Sequence, residues 1–239
     1  MPDRSLLSAA QRSLDVHSAG GLTLAHDAGG WSLQDQDGAL GPLQVDFASG
    51  ALNYRRARGK DRQQGLGRAA GKPVPGEPPA LIDATGGLGT DAFVLAHLGW
   101  QVTLLERSPA LVTLLADGVA RGRCNAEVSA ICRRMRVLHR EAQAFLDGLA
   151  PAERPQVVYL DPMYPTDPRS ALPGREMQYL RRLLGNTPPD TGLLPAARRA
   201  ARHRVVVKRP AAAPPLSDVA PSHAIRMGGT RFDVYLTPA

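Results

Sequence analysis

Cysteine is nearly absent, with two among 239 residues. Cys124 and Cys132 lie in a stretch that reads as helical, at a spacing that suits neither a disulfide framework nor a zinc knuckle. The expected compartment is therefore the reducing cytoplasm. Long hydrophobic runs are missing too. No stretch reaches the roughly 18 apolar residues of a membrane-spanning helix. Met1 to Ala10 lacks the charged segment and apolar core of a secretion signal. The six histidines (His17, His26, His97, His139, His203, His223) are scattered without paired spacing, so no metal site is expected. Aromatic residues make up 5% of the chain, and neither Trp31 nor Trp100 belongs to a recognisable cage.

Acid is in the minority: 22 Asp and Glu stand against 29 Lys and Arg, a net charge of +7. The pI near 10 is the footprint of a polyanion binder, although a chain rich in Ala, Gly, Pro and Arg carries that bias for other reasons as well. Placement of the charges has to decide.

Residues 1–75 read as a small N-terminal α+β subdomain and linker. Short strand-like pieces at Leu22–Ala25, Trp31–Gln34 and Leu43–Phe47 are broken by glycine turns. A basic stretch, Asn53 to Arg62, follows. Gly71-Lys72-Pro73-Val74-Pro75-Gly76-Glu77-Pro78-Pro79 sustains neither helix nor central strand. Residues 76–239 form the main domain, in which strands alternate with helices. Strands are expected at Ala80–Ala84, Gln101–Glu106, Arg136–His139, Gln156–Leu160 and Arg204–Lys208. Helical patterns fall at Asp91–Leu98, Pro109–Arg121, Glu127–Arg134, Ala142–Leu149, Arg175–Leu184 and Leu194–Arg202. Continuous apolar runs such as Val157-Val158-Tyr159-Leu160 suit a parallel sheet covered on both faces. The tail, Ala224 to Met227 and Phe232 to Leu236 around Gly228-Gly229, reads as an antiparallel hairpin. The fold class is α/β: a Rossmann-like, mostly parallel sheet closed by a C-terminal hairpin, the plan of class I methyltransferases.

Two loops carry chemistry. Leu81-Ile82-Asp83-Ala84-Thr85-Gly86-Gly87-Leu88-Gly89-Thr90-Asp91 runs from strand through a glycine turn into helix, and Glu106 ends the next strand. Glycine lets a ligand approach the backbone, and an acid at the next strand end can accept from both ribose hydroxyls. Gly87 to Ala92 also fits the dinucleotide pattern G-x-G-x-x-A, so a NAD-binding oxidoreductase is an alternative. Asp83 and Asp91, however, place carboxylates where a pyrophosphate would be repelled and a sulfonium would be welcome. Asp-x-Thr-x-Gly-x-Gly also resembles the S-adenosylmethionine-binding consensus, with Thr85 in place of one glycine. The second loop, Asp161-Pro162-Met163-Tyr164, resembles the (Asn/Asp)-Pro-Pro-(Tyr/Phe) signature of enzymes that methylate exocyclic amines, with Met163 in place of the second proline. Such an amine is a weak nucleophile because its lone pair is delocalised into the ring. The Asp161 carboxylate and Pro162 carbonyl would hold its protons, Tyr164 would stack on the base, and positioning would supply most of the rate. On these residues the acceptor stays open among guanine, adenine and protein glutamine, and a nucleic-acid-binding scaffold without turnover is a further alternative.

Four segments together resemble one family: Asp83 to Ala96, Leu105-Glu106-Arg107-Ser108-Pro109, Pro155 to Pro165, and Arg204-Val205-Val206-Val207-Lys208-Arg209-Pro210. They are similar to the RsmJ family of bacterial 16S rRNA guanine-N2 methyltransferases, over a span from about Val45 to the C-terminus. The resemblance implies S-adenosyl-L-methionine as cofactor and 16S rRNA or the small ribosomal subunit as partner. It implies cofactor contacts at Thr90, Asp91, Glu106, Arg107 and Asp161, beside Asp83, Gly87 and Gly89 of the loop. A third contact falls at Glu141-Ala142, where the chain departs from small polar residues. Phosphate contacts are expected from Arg55, Arg56, Arg58, Lys60 and Arg62, and from Lys208 and Arg209 at the end of strand five. A monomer without metal or membrane anchor is expected.

Overall fold

The computed structural model describes residues 21–49, 60–163, 174–185 and 192–237, with the side chains of 60–64 left aside. Tyr164, Arg55, Arg56 and Arg58 lie outside the described residues, as do the side chains of Lys60 and Arg62.

The chain opens with an antiparallel hairpin, β1 (Leu22–Asp27) and β2 (Gly30–Asp35), and a helix, α1 (Lys60–Ala70). Then come β3 (Ala80–Asp83), α2 (Thr90–His97), β4 (Gln101–Glu106), α3 (Pro109–Cys124), α4 (Ser129–Cys132), β5 (Met135–His139) and α5 (Ala142–Asp147). After them follow β6 (Val157–Leu160), α6 (Arg175–Leu184), α7 (Leu193–Ala200), β7 (Arg204–Pro210), β8 (His223–Met227) and β9 (Thr230–Leu236). The main sheet has the order β5-β4-β3-β6-β7-β9-β8. Strands β3 to β7 are parallel, and β9 enters antiparallel between β7 and β8.

Side-chain alternation explains why the apolar strands need cover on both faces. Val157 and Tyr159 of β6 join one buried cluster, with Leu81, Leu104, Val206 and the apolar faces of α1, α2 and α3. Val158 and Leu160 join the other, with Ile82, Leu105, Val205, Val207 and the small, apolar face of α7. Each Val or Leu sealed this way contributes about 1.5–3 kcal/mol. Ser108 caps α3, accepting from Leu111 N–H, and Pro109 occupies its first turn.

Three local expectations give way. Leu43–Phe47 is no strand, for only Leu43 bridges to Leu33, after which Asp46 turns the chain by accepting from Ala48 N–H. The segment serves as packing instead: Phe47 stacks on Phe93, ring centres 5.1 Å apart. The helix expected over Glu127–Arg134 shrinks to Ser129–Cys132, because Asn125 Oδ1 captures Glu127 N–H in a turn. Helix α1 forms at the end of the basic stretch, where no element was anticipated. The apolar residues of the N-terminal region, Leu22, Leu24, Leu33, Val45 and Phe47, lie in the same buried cluster as β3 and β4.

Candidate active site at the carboxyl ends of the strands

The chain runs from β3 outward to β4 and β5, then returns to the other side of β3 for β6 and β7. That reversal places a crevice beyond the tips of β3 and β6, where open α/β sheets bind ligands. Register aligns the tips: Asp83 pairs with Tyr159, and Leu160 with Val207. The next residues, Asp161 and Lys208, are thereby side by side.

Past β3 the backbone turns through Gly87 and Gly89, with φ of 51° and 73°. Gly89 heads α2 in the left-handed region. A Cβ there would sit 2.7 Å from Leu115 Cδ2 and 3.1 Å from Phe47 Cζ, so the turn is packed from behind as well as conformationally restricted. Glu106 is 7% exposed. Its Oε2 accepts from Gly87 N–H at 2.9 Å and its Oε1 from Ser108 N–H at 2.8 Å. Burial raises its pKa against those hydrogen bonds. The β4 acid is therefore tied directly to the glycine turn.

Asp83 is 2% exposed, and its Oδ1 accepts from Thr85 N–H at 3.0 Å and Thr85 Oγ1 at 3.2 Å. Burial, added to by the nearby Asp91 and Asp161 carboxylates, pushes Asp83 up to about 7. Thr85 Oγ1 in turn accepts Asp161 N–H at 2.7 Å. The residue that breaks the glycine consensus is thus the post that ties the β6 tip to the β3 turn. Asp91 Oδ2 accepts from Tyr159 Oη and from Lys208 Nζ, both at 2.7 Å. Lys208 Nζ also reaches Asp161 Oδ2 at 2.5 Å. Burial and the surrounding carboxylates hold the Tyr159 phenol far above its usual pKa, so it stays a donor.

Asp83, Gly87, Gly89, Asp91, Glu106 and Asp161 are therefore gathered at the carboxyl ends of neighbouring strands, with Thr90 in the first turn of α2 and Pro162 following Asp161. Arg107 follows Glu106, and its carbonyl lies 3.0 Å from His139 Nε2. Glu141 and Ala142 follow β5, alongside Glu106 through the Arg140 N–H bond to the Glu106 carbonyl. Both Glu141 oxygens cap α5, on Gln143 and Ala144 N–H, which accounts for an acid where a small polar residue was expected. The two β7 cations face different surroundings. Arg209 is 2% exposed and donates to the Pro214 carbonyl, so it is turned inward and offers no surface for a phosphate. Lys208 donates to the Asp91 and Asp161 carboxylates. Tyr159 and Thr85 were passed over as strand and loop residues. The signal for Thr85 was its intrusion into the glycine consensus; for Lys208 it was its register opposite Asp161.

Among the described residues no group of three or more His, Cys, Asp or Glu could hold a metal, and no helix is long and apolar enough to cross a membrane. A parallel sheet with one reversal, an inserted antiparallel strand, and an acidic glycine turn beside an Asp-Pro tip defines a Rossmann-like class I S-adenosylmethionine-dependent methyltransferase. The SAM-dependent methyltransferase family model matches residues 8–237. Ribosomal RNA small subunit methyltransferase J of Thioalkalivibrio sulfidiphilus is 48% identical over 217 residues, covering 90% of this chain and 85% of that protein. Its namesake from Cronobacter sakazakii is 46% identical over 203 residues, covering 84% and 80%. The crystal structure of a SAM-dependent methyltransferase from Neisseria gonorrhoeae superposes with a TM-score of 0.70 at 37% identity, covering 91% of this chain and 83% of that one. The chain belongs to the ribosomal RNA small subunit methyltransferase J family.

Proposed function

We propose that this protein transfers the methyl group of S-adenosylmethionine to the exocyclic N2 amine of a guanine in 16S rRNA. The observation that carries the reading is the junction of the two tips, where Thr85 and Lys208 lock Asp161 beside the acidic glycine turn. The donor set fits the cofactor: Asp83, Asp91, Glu106 and Asp161 suit a sulfonium and an ammonium group, and would repel a pyrophosphate. Glu106, anchored by two backbone N–H groups, keeps lone pairs for ribose hydroxyls. Gly87 and Gly89 admit the ligand against the backbone, with Thr90, Asp91 and Arg107 at the rim and Glu141-Ala142 beyond β5.

When bound, the cofactor supplies an electrophilic methyl carbon on a cationic sulfur. The Asp161 carboxylate would accept a hydrogen bond from one amine N–H and the Pro162 carbonyl from the other, drawing the nitrogen lone pair out of conjugation, and the proton lost on methylation would leave by way of Asp161 to solvent. Tyr164 stacks on the base. Positioning supplies most of the rate, and the carboxylates stabilise the positive charge that develops on nitrogen. Asp161 also matches a guanine edge, whose N1–H and N2–H both donate. Arg55, Arg56, Lys60 and Arg62, ahead of and within the first turn of α1, supply phosphate contacts. The names and high coverage of the relatives support rRNA as the substrate, and the net charge of +7 agrees with it.

The test is mass spectrometry of 16S rRNA nucleosides from cells lacking the gene. Loss of one N2-methylguanosine, restored by the wild-type gene but not by Asp161→Ala, is the expected result. An unchanged nucleoside profile would overturn the assignment.

A further inference from the structure

The glycine turn after β3 rests on side chains from three separate parts of the chain. A Cβ on Gly89 would meet Leu115 Cδ2 of α3 at 2.7 Å, Phe47 Cζ at 3.1 Å and Leu104 Cδ2 of β4 at 3.4 Å. Of the three, Phe47 comes from the N-terminal region, ahead of the α/β unit. It is 1% exposed, and its ring lies 9° from parallel with that of Phe93, centres 5.1 Å apart. Phe93 N–H donates to the Gly89 carbonyl at 2.9 Å, in the first turn of α2. One ring therefore lies against both the glycine that heads α2 and the residue one turn on. Thr90 and Asp91 stand between those two points.

The segment that carries Phe47 is itself held. Val45 passes so close to α3 that a Cβ on Gly118 would sit 2.6 Å from its carbonyl oxygen. That carbonyl accepts from Arg121 Nη2, and Arg121 pairs with Asp117 at 2.8 Å. Asp117 Oδ2 also accepts from Trp31 N–H of β2 at 3.2 Å. Hairpin, α3 and the Phe47 segment are thus fastened together behind the turn. Two glycines in the left-handed region give the turn little stiffness of its own, so the packing behind it sets its shape.

We infer that Phe47 is a positioning residue for the cofactor: the N-terminal segment props the glycine turn from behind and so places Thr90 and Asp91. The inference rests on the cofactor site proposed above and adds to it a buried residue that acts through the turn. The rival role is ordinary core filling, and the two make different demands. A core residue lowers the melting temperature wherever it lies. A prop also lowers affinity for the ligand, because a binding constellation loosens when its support is removed.

The experiment compares wild type with Phe47→Leu and Phe47→Ala, and with Trp100→Leu as a second loss of a buried aromatic. Trp100 is 1% exposed in the same apolar cluster, but it precedes β4 and so stands at the amino ends of the strands. In calorimetric titrations with S-adenosylhomocysteine, affinity falls about tenfold in Phe47→Leu and further in Phe47→Ala, within the range for residues that reach a ligand through others. Trp100→Leu stays within about twofold of wild type, as for sites that share no partners, although its melting temperature falls too. Hydrogen exchange of the ligand-free protein gives a second readout. The Gly87 and Gly89 amides, bonded to Glu106 and to the Gly86 carbonyl, exchange faster in Phe47→Leu relative to the amides of β6, and keep their wild-type ratio to them in Trp100→Leu.

An affinity that falls no further in Phe47→Leu than in Trp100→Leu overturns the inference, as do turn amides that keep step with β6 in Phe47→Leu. If Phe47→Ala does not fold, the milder Phe47→Leu carries the comparison. If wild type itself does not bind S-adenosylhomocysteine, the cofactor assignment fails instead, and exchange at Gly87 and Gly89 still decides the prop.

Discussion

The two ends of the parallel sheet carry ion networks of opposite character. At the amino ends, Glu77 in the loop before β3 meets Arg202 at 2.6 Å and His203 Nε2 at 3.2 Å. Gln156 adds bonds to Val74 N–H and to the Pro78 carbonyl. One acid faces two bases, each side chain at least 31% exposed, and the result fastens a proline-rich connection to the sheet. At the carboxyl ends, Lys208 meets Asp91 and Asp161, Asp83 lies near those two carboxylates, and burial keeps Asp83 and Glu106 from ionising at their ordinary pH. A network built for stability matches its charges in water. The other keeps a surplus of acceptors and bears the cost of burying them, the character proposed above for a cationic ligand and an amine.

Substitutions at the two ends should therefore fail in different ways. The largest effect is expected at Asp161→Ala: methylation of small subunits falls at least about 100-fold, while the melting temperature moves by less than about 4 °C. An inactive variant that also unfolds would make Asp161 a structural residue, like Glu77. Next comes Asp83→Asn, which keeps an acceptor for Thr85 and removes a buried acid. Because the folded-state pKa of Asp83 is raised from 3.8 to about 7, the folded form holds its proton where the unfolded form has lost it. Its contribution is thus fully present below pH 3.8 and is lost as pH rises to about 7. Asp83→Asn should be more stable than wild type at pH 8, by on the order of 2–4 kcal/mol, with the gap closing by pH 4. Denaturant titrations at the two pH values measure it, and a constant difference would remove Asp83 from the crowded set. The smallest effect belongs to the amino end. Glu77→Gln should cost about 1 kcal/mol or less in the same titration and leave kcat untouched. A fall in kcat would mean that the two ends are coupled.

The placement of most candidate residues was legible because it follows the chain. Asp83 and the glycines after it, Glu106 at the next strand end, and Asp161-Pro162 after β6 each stand at a strand-to-loop junction, and parallel topology sends every such junction to the same side. The apolar runs Val157–Leu160 and Val205–Val207 marked strands covered on both faces. The segment Leu43–Phe47 misled because alternation of apolar residues says nothing about the partner strand it needs. Helix α1 escaped notice because its first turn is charged and its glycines weaken any helical pattern.

The sequence by itself determined the alternation of strands and helices from β3 onward, the acidic character of the glycine turn and the Asp-Pro junction after β6, since those depend on local periodicity and on residues a few positions apart. Only the tertiary structure decided what Thr85, Tyr159, Lys208 and Arg209 do. Whether a cation at a strand end faces solvent or a carboxylate depends on which residue the neighbouring strand brings alongside. Here the register of β6 against β7 set Lys208 against Asp161, while the packing around β9 turned Arg209 inward.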